Sequence, residues 1–265
     1  MEPPCRGGTS KTGGRLAKLI HAAGHPFLVA SRSGTAPEPF KGVKFDWTDS
    51  STFENPFKAD PKIDRIYLIA PAGYLDSLPI VQPSIKLALS KGVKRFVLLT
   101  ATLSEPGGPG LGKLHEYIAS LGAEYTVLRP TWFIGAELRH SNGKIPLIEA
   151  DDIAKAAFDA LYAEKSSNAD YYLVGPELYT YDEAAALFTE ILGRKIAHKH
   201  LTEEEELAIY QSFGLSKDYA SVLTAGEGLV TKGSEEAFVR TNKTITGTHT
   251  LRQFIEANKQ IWIKQ

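Results

Sequence analysis

Apolar residues along this chain follow two spacings in turn, one suited to helices and one to buried strands. Residues 14–24 carry Leu16, Leu19, Ile20 and Ala23 at helical spacing, and Gly24 supplies a stop. Pro26 to Ala30 is a short apolar run that reads as a buried strand, and Val43 to Trp47 reads as another. Arg65 to Ala70, closed by Pro71, and Arg95 to Thr100 are further strands. Between them, Val81 to Lys91 predicts a helix ended by Gly92. A loop rich in Gly and Pro, 103–112, leads into a helix from Lys113 to Gly122 and a strand from Tyr125 to Arg129. Strand-like segments alternating with helical ones predict an α/β fold with a parallel sheet and helices on both faces.

The texture changes after about residue 150. Asp151-Asp152-Ile153-Ala154 is an acidic helix start, with the helix running to Leu161. Tyr171 to Val174 predicts a strand, Thr180 to Leu192 a helix closed by Gly193, Lys195 to Leu201 a strand, and 202–213 a helix. The remainder reads as mainly helical. The expected organisation is a dinucleotide-binding domain over 1–150, with 151–265 supplying the segments of a small, mostly helical substrate lobe packed on it as a single unit. Open α/β sheets bind ligands at the carboxyl edge of their strands.

The chain has 265 residues, a formal net charge of −1 and ordinary fractions of charged (23%) and hydrophobic (43%) residues. That length can bury a full core. A near-zero charge creates no field to gather nucleic acid or an anionic membrane. Cys5 is the single cysteine, so no intramolecular disulfide can form. Met1 to Ser10 has no apolar h-region, and no stretch approaches a membrane span, so a cytoplasmic protein is expected.

Gly7-Gly8-Thr9-Ser10-Lys11-Thr12-Gly13 stands directly before the first helix. A Rossmann turn uses glycines there, so that backbone N–H groups can approach a pyrophosphate at a helix N-terminus. Ser10 occupies the middle glycine position, where its hydroxyl can donate to phosphate but its Cβ adds crowding. Upstream, Met1 to Arg6 with Pro3 and Pro4 cannot serve as a central strand. A glycine-rich turn that merely opens a helix would read the same way. The next strand ends in Ala30-Ser31-Arg32-Ser33. An acid at that end would bind the ribose 2′-OH of NAD, whereas an arginine accommodates the 2′-phosphate of NADP. Arg32 and Ser33 are therefore an NADP(H) signal, the alternative being an ordinary loop arginine. The fold class is a Rossmann-like doubly wound parallel sheet with the helical lobe appended.

Several segments together resemble the NmrA-like family. They are Gly7 to Thr12, Phe27 to Arg32, Lys91 to Leu99, Leu128-Arg129-Pro130-Thr131-Trp132-Phe133, Gly143-Lys144-Ile145-Pro146, Asp151 to Ala154, and Gly175-Pro176-Glu177-Leu178. Within it, the chain is similar to the fungal ergot-alkaloid festuclavine/agroclavine dehydrogenases over nearly its whole length. The resemblance implies an NADP(H)-dependent reductase of a cyclic iminium, formed when chanoclavine-I aldehyde closes on its own amine. A hydride added to that carbon leaves a tertiary amine. An iminium is already activated, so no strong general acid is needed, which agrees with the lack of a Tyr-x-x-x-Lys. The chain departs from the family in having no hydrophobic strand before Gly7. It also carries only Ile134 to Asn142 where the family has a longer segment, with Phe-Met-Glu-Asn and a further helix, that helps wall the substrate site.

The candidate site follows. Gly7, Thr9, Ser10, Lys11, Thr12 and Gly13 would hold the diphosphate. Arg32 and Ser33 would hold the 2′-phosphate, and Asp46 and Trp47 would border the adenine. Ala70 and Pro71 would pass over the ribose and diphosphate. The resemblance makes Thr100 and Ala101 the nicotinamide-side loop, although strand-end hydroxyls also cap turns. Tyr74, Thr102, Trp132 and Phe133 are expected on the substrate side, although aromatics there are equally often core. Lys113, with His115 beside it, starts a helix facing the same edge. With Thr100, Lys113 is the expected catalytic side chain, a solvated lysine being the alternative. His198 and His200 alternate on a predicted strand but lack further ligands, so no metal site is expected. No Gly-x-Ser-x-Gly elbow is present, and Cys5 is a poor nucleophile candidate. The partner is a small alkaloid, with no nucleic acid and no membrane; oligomerisation is compatible with the sequence. Two rivals keep the fold: a non-redox cyclase or isomerase acting on a reactive imine, and a dinucleotide-sensing regulator.

Overall fold

The computed structural model describes residues 10–134 and 141–263. Its first helix is α1 (Lys11–Ala22), opened by Ser10, whose side chain accepts from the Gly13 N–H as N-cap. Strands β1 (Val29–Ser31) and β2 (Gly42–Lys44) pair in parallel, register Ser31 with Lys44. A 3-10 turn (Ser50–Thr52) and α2 (Asn55–Ala59) lead to β3 (Arg65–Ile69). Then come α3 (Leu78–Ser90), β4 (Arg95–Leu99), α4 (Gly112–Ser120), β5 (Glu124–Pro130), α5 (Ala150–Tyr162) and β6 (Ala169–Val174). The C-terminal part is α6 (Tyr181–Leu192), α7 (Glu203–Ser212), α8 (Lys217–Thr231), α9 (Ser234–Phe238), β7 (Thr244–Thr246) and α10 (Leu251–Ile263). The α/β alternation and the helical C-terminal region agree with the expected fold class. Among the described residues, no helix is long and apolar enough to cross a membrane.

The strands form a five-stranded sheet, β3-β4-β5-β6-β7, and the separate pair β1-β2. The β3–β4, β4–β5 and β6–β7 pairings are parallel. A doubly wound sheet would join β1 to β3 through one more strand; among the described residues no strand does so.

Two local readings are corrected. Val43 to Trp47 is not all strand: β2 ends at Lys44, because the Asp46 carboxylate accepts from both the backbone N–H and the hydroxyl of Thr48 and turns the chain. Lys195 to Leu201 forms no strand. There the Thr189 hydroxyl takes both backbone groups of Ile196, accepting its N–H at 2.8 Å and donating to its carbonyl at 2.9 Å. The final region is mainly helical as expected, with Thr244-Ile245-Thr246 adding β7. Two β-branched threonines around an isoleucine were the signal for it.

The chain divides into two compact units. The first holds residues up to Arg129 together with Ile153–Tyr171, and the second holds Pro130–Asp152 and Tyr172 onward. In the first, Val81, Ile85 and Ala88 of α3 and Leu114 and Ile118 of α4 pack with Leu68, Phe96, Leu98 and Val127 of the strands. Each fully buried Leu, Ile or Phe contributes about 1.5–3 kcal/mol. Residues 95–98 of β4 are all buried, as expected of a central parallel strand.

Two buried arginines organise the first unit. Arg95 pairs with Glu124 and donates to the carbonyls of Leu161 (2.9 Å) and Ala163 (2.6 Å), which gives the C-terminus of α5 a cationic cap. Arg129, 2% exposed at the end of β5, donates to Asp170 at 2.9 Å, to the Thr102 carbonyl at 2.6 Å and to Glu105. A guanidinium can be taken out of water only when its donors are answered in this way. The effect is to bind the loop after β4 to the ends of β5 and β6.

In the second unit, Ile134, Ala184, Leu251 and Ile255 form the buried centre of a cluster. Gly175 donates its N–H to the Pro146 carbonyl at 2.8 Å, and Ile145 and Tyr179 exchange backbone bonds at 2.8 and 3.0 Å. A Cβ on Gly175 would lie 1.9 Å from the Leu147 carbonyl oxygen, so only glycine permits the approach. The 143–146 and 175–178 motifs are therefore two sides of one packing contact.

Replacing Arg129 with Leu strands the Asp170 carboxylate and should cost about 3–5 kcal/mol in urea unfolding. Adding Asp170→Leu should restore part of that loss; a loss below about 1 kcal/mol would show the network to be dispensable. Gly175→Ala should cost about 1–3 kcal/mol through overpacking. Gly228→Ala, in α8 with open space around a Cβ, should be neutral or stabilising.

Candidate functional site

Parallel register brings the ends of the first unit's strands to one edge. Ile69 pairs with Leu99 and Leu99 with Leu128, so Ala70-Pro71 and Thr100-Ala101 leave the sheet side by side. At the β1–β2 pair, the Phe45 N–H donates to the Ser31 carbonyl at 2.9 Å, so Arg32-Ser33 and Asp46-Trp47 also leave together. The side chains expected to hold a dinucleotide thus belong to strand ends of one unit.

The N-terminus of α1 suits an anion. Its first turn contains no acid, Lys11 is exposed there, and the bond Ser10 accepts from Gly13 does not use its own hydroxyl proton. Thr12 is buried and accepts from the Tyr67 hydroxyl at 3.1 Å, which fixes the start of α1 to β3. Gly7, Thr9 and Cys5 lie outside the described residues, as do positions 135–140 of the shortened segment. Arg32 and Ser33 are exposed, and Ser33 shares hydroxyl bonds with Ser31 (3.4 Å) and Thr35 (2.6 Å). The Thr48 bonds, and then the charge of Arg32, hold the Asp46 carboxyl below its ordinary range. Trp47 is half-buried, edge-on to Phe45 at 4.8 Å, and packs on the core as well as bordering this corner.

Thr100 is buried, and its hydroxyl donates to the Leu128 carbonyl at 3.3 Å. Ala101 is exposed, and the buried Thr102 gives its carbonyl to Arg129. Lys113 is exposed and pairs with Asp76 at 2.7 Å, an ion pair that holds the Asp76 carboxyl low. That contact joins the start of α4 to the segment carrying Tyr74, which is 40% exposed. His115 is buried, and desolvation, reinforced by the charge of Arg129, pulls its pKa down; Asp170 opposes this. It is a neutral core imidazole.

In the second unit, Trp132 and Phe133 are half-buried. Phe133 bridges to Ile148, and the Trp132 carbonyl accepts the Ile148 N–H at 3.0 Å. The buried Thr131 donates its hydroxyl to the buried Glu235. Asp152 stands in the first turn of α5 as expected, and it also receives the His249 backbone N–H (3.1 Å) and pairs with its ring Nδ1 (2.8 Å). Burial pushes that carboxyl up, but bonds from Thr248 and His249 outweigh it, and the histidine's pKa is raised in turn.

Sequence reading missed Arg129 with Asp170, Thr131 with Glu235, and Asp152 with His249. It also missed Asp182, from the first turn of α6, beside His198 and His200. The first three pairs lie 41 to 104 positions apart, and no spacing rule pairs them.

No protein-family model matches the chain. Agroclavine dehydrogenase of Claviceps fusiformis is 37% identical, with 97% of both chains covered. Festuclavine synthase II of Penicillium roqueforti is 37% identical over 97% of this chain and 98% of its own. Among solved structures, an NADPH-dependent quinone oxidoreductase of Escherichia coli complexed with NADPH superposes with a TM-score of 0.74 at 19% identity, covering 95% of this chain and 97% of that one. The chain belongs to the family of the fungal festuclavine synthases and agroclavine dehydrogenases, on the NmrA-like, atypical short-chain dehydrogenase fold.

Proposed function

We propose that this protein is an NADPH-dependent reductase of a cyclic imine or iminium in fungal ergot-type alkaloid biosynthesis. The observation that carries the reading is the 37% identity, end to end, with relatives named for agroclavine and festuclavine formation. The first unit supports it through its acid-free α1 N-terminus and the arginine at the end of β1.

In this reading, Ser10, Lys11, Thr12 and Gly13 receive the diphosphate at the head of α1. Arg32 and Ser33 bind the 2′-phosphate, Asp46 and Trp47 border the adenine, and Ala70-Pro71 and Thr100-Ala101 follow the cofactor along the strand edge. When bound, NADPH supplies the hydride, which adds to the iminium carbon and leaves a neutral tertiary amine and NADP⁺. The chain's own work is to orient the two reactants and exclude water. Thr100, tied to β5, and Lys113, tied to Asp76, are the side chains assigned to the reacting end. Tyr74, Thr102, Trp132 and Phe133 are the residues assigned to the substrate, since aromatic faces suit both an indole and a cation.

Arg32→Ala should weaken NADPH about 10–100-fold in isothermal calorimetry, the loss of one charge-assisted phosphate contact. NADH should be nearly unaffected, and an equal loss for both nucleotides would remove the 2′-phosphate role. With the cyclic iminium as substrate, NADPH consumption should match tertiary amine formation mole for mole, followed by absorbance and mass spectrometry. A rearranged product at unchanged oxidation level, with no NADPH consumed, would favour the cyclase or isomerase instead.

A further inference from the structure

We infer that Asp182, His198 and His200 form a binding site for a borderline divalent transition ion of the Zn²⁺ class. Asp182 stands in the first turn of α6, and both histidines lie on the irregular segment between α6 and α7. The Thr189 clamp on Ile196 fixes the start of that segment against α6.

The geometry brings three donor groups of the right chemistry together. His200 Nε2 lies 3.3 Å from one Asp182 carboxylate oxygen and His198 Nδ1 lies 3.5 Å from the other. One donor atom from each residue can be chosen so that all three lie within 4.8 Å of one another. Zn–N and Zn–O bonds of about 2.0–2.1 Å set the edge of a coordination tetrahedron at about 3.3 Å. Two imidazole nitrogens and one carboxylate are the donors of zinc and its neighbours, whereas Mg²⁺ and Ca²⁺ take oxygen sets. The His198 side chain is 4% exposed, with the Tyr181 ring 5.2 Å away, so one ligand is held in place beforehand. Asp182 and His200 are about 60% exposed, which leaves the ion open to solution on one side. A cavity of about 180 Å³, lined by Ser141, Asn142, Thr180, Tyr181, Asp182 and His198, has room for a water in the fourth position. The positive end of α6 disfavours a cation slightly, and the carboxylate offsets it.

The site does not depend on the reductase reading. Its role is mechanical: a bound ion would tie the segment after α6 to the first turn of that helix.

The test uses the full chain without an affinity tag, stripped with chelator, then titrated with ZnCl₂ by calorimetry near neutral pH. We expect one ion per chain and a saturable rise in Tm by mass action. Co²⁺ should give the intense visible absorption of four-coordinate cobalt. Asp182→Asn and His200→Ala change exposed side chains, so both should fold. Each should weaken Zn²⁺ at least about tenfold and abolish the cobalt spectrum. His21→Ala, at an exposed histidine elsewhere, should change neither. Absence of saturable binding, or binding that Asp182→Asn and His200→Ala leave unchanged, would overturn the proposal.

Discussion

The buried guanidinium of Arg129 is the interaction on which the first unit's working edge depends. A charge placed in the protein interior is tolerated when it is paired, and here the partners come from three directions: the Asp170 carboxylate of β6, Glu105, and the Thr102 carbonyl from the loop after β4. That loop begins with Thr100-Ala101 and would otherwise have only its glycines and prolines to define it. A charged network is directional where an apolar contact is not, so it fixes the position of the loop as well as its burial. Asp170 and Arg129 also set the field around His115, which stays neutral beside them.

The same economy of partners recurs elsewhere. Arg95 caps α5 while pairing with Glu124. Lys113 holds the Tyr74 segment through Asp76. Side chains that looked like free functional groups in the sequence turn out to have structural partners as well, so their proposed chemical roles are those of fixed, oriented groups. This suits a reaction in which the electrophile is already activated and the protein contributes placement.

The family motifs gain physical meaning from the second unit. Gly175 is required because the chain passes against the Leu147 carbonyl, and Ile145 and Tyr179 form a two-bond bridge beside it. Residues 143–146 and 175–178 resemble the family because they are complementary surfaces, and a change in one is felt by the other. The segment between Phe133 and Gly143 begins and ends on this packed frame, so its length can vary while the frame holds.

By itself, the sequence determined the alternation of helices and strands, the parallel sheet and the arginine at the end of β1. All of these follow from local periodicity and from turn and capping chemistry, which operate over a few residues. Errors fell where a side chain overrode backbone preference: Asp46 turned the chain at Thr48, and Thr189 captured Ile196. Only the tertiary structure decided that Arg129 meets Asp170, that Thr131 meets Glu235, that Asp152 turns to His249, and that Asp182 joins His198 and His200. Such pairs form when folding brings distant positions together, and the need to answer a buried or crowded polar group then selects the partner. A one-dimensional pattern carries no record of that proximity.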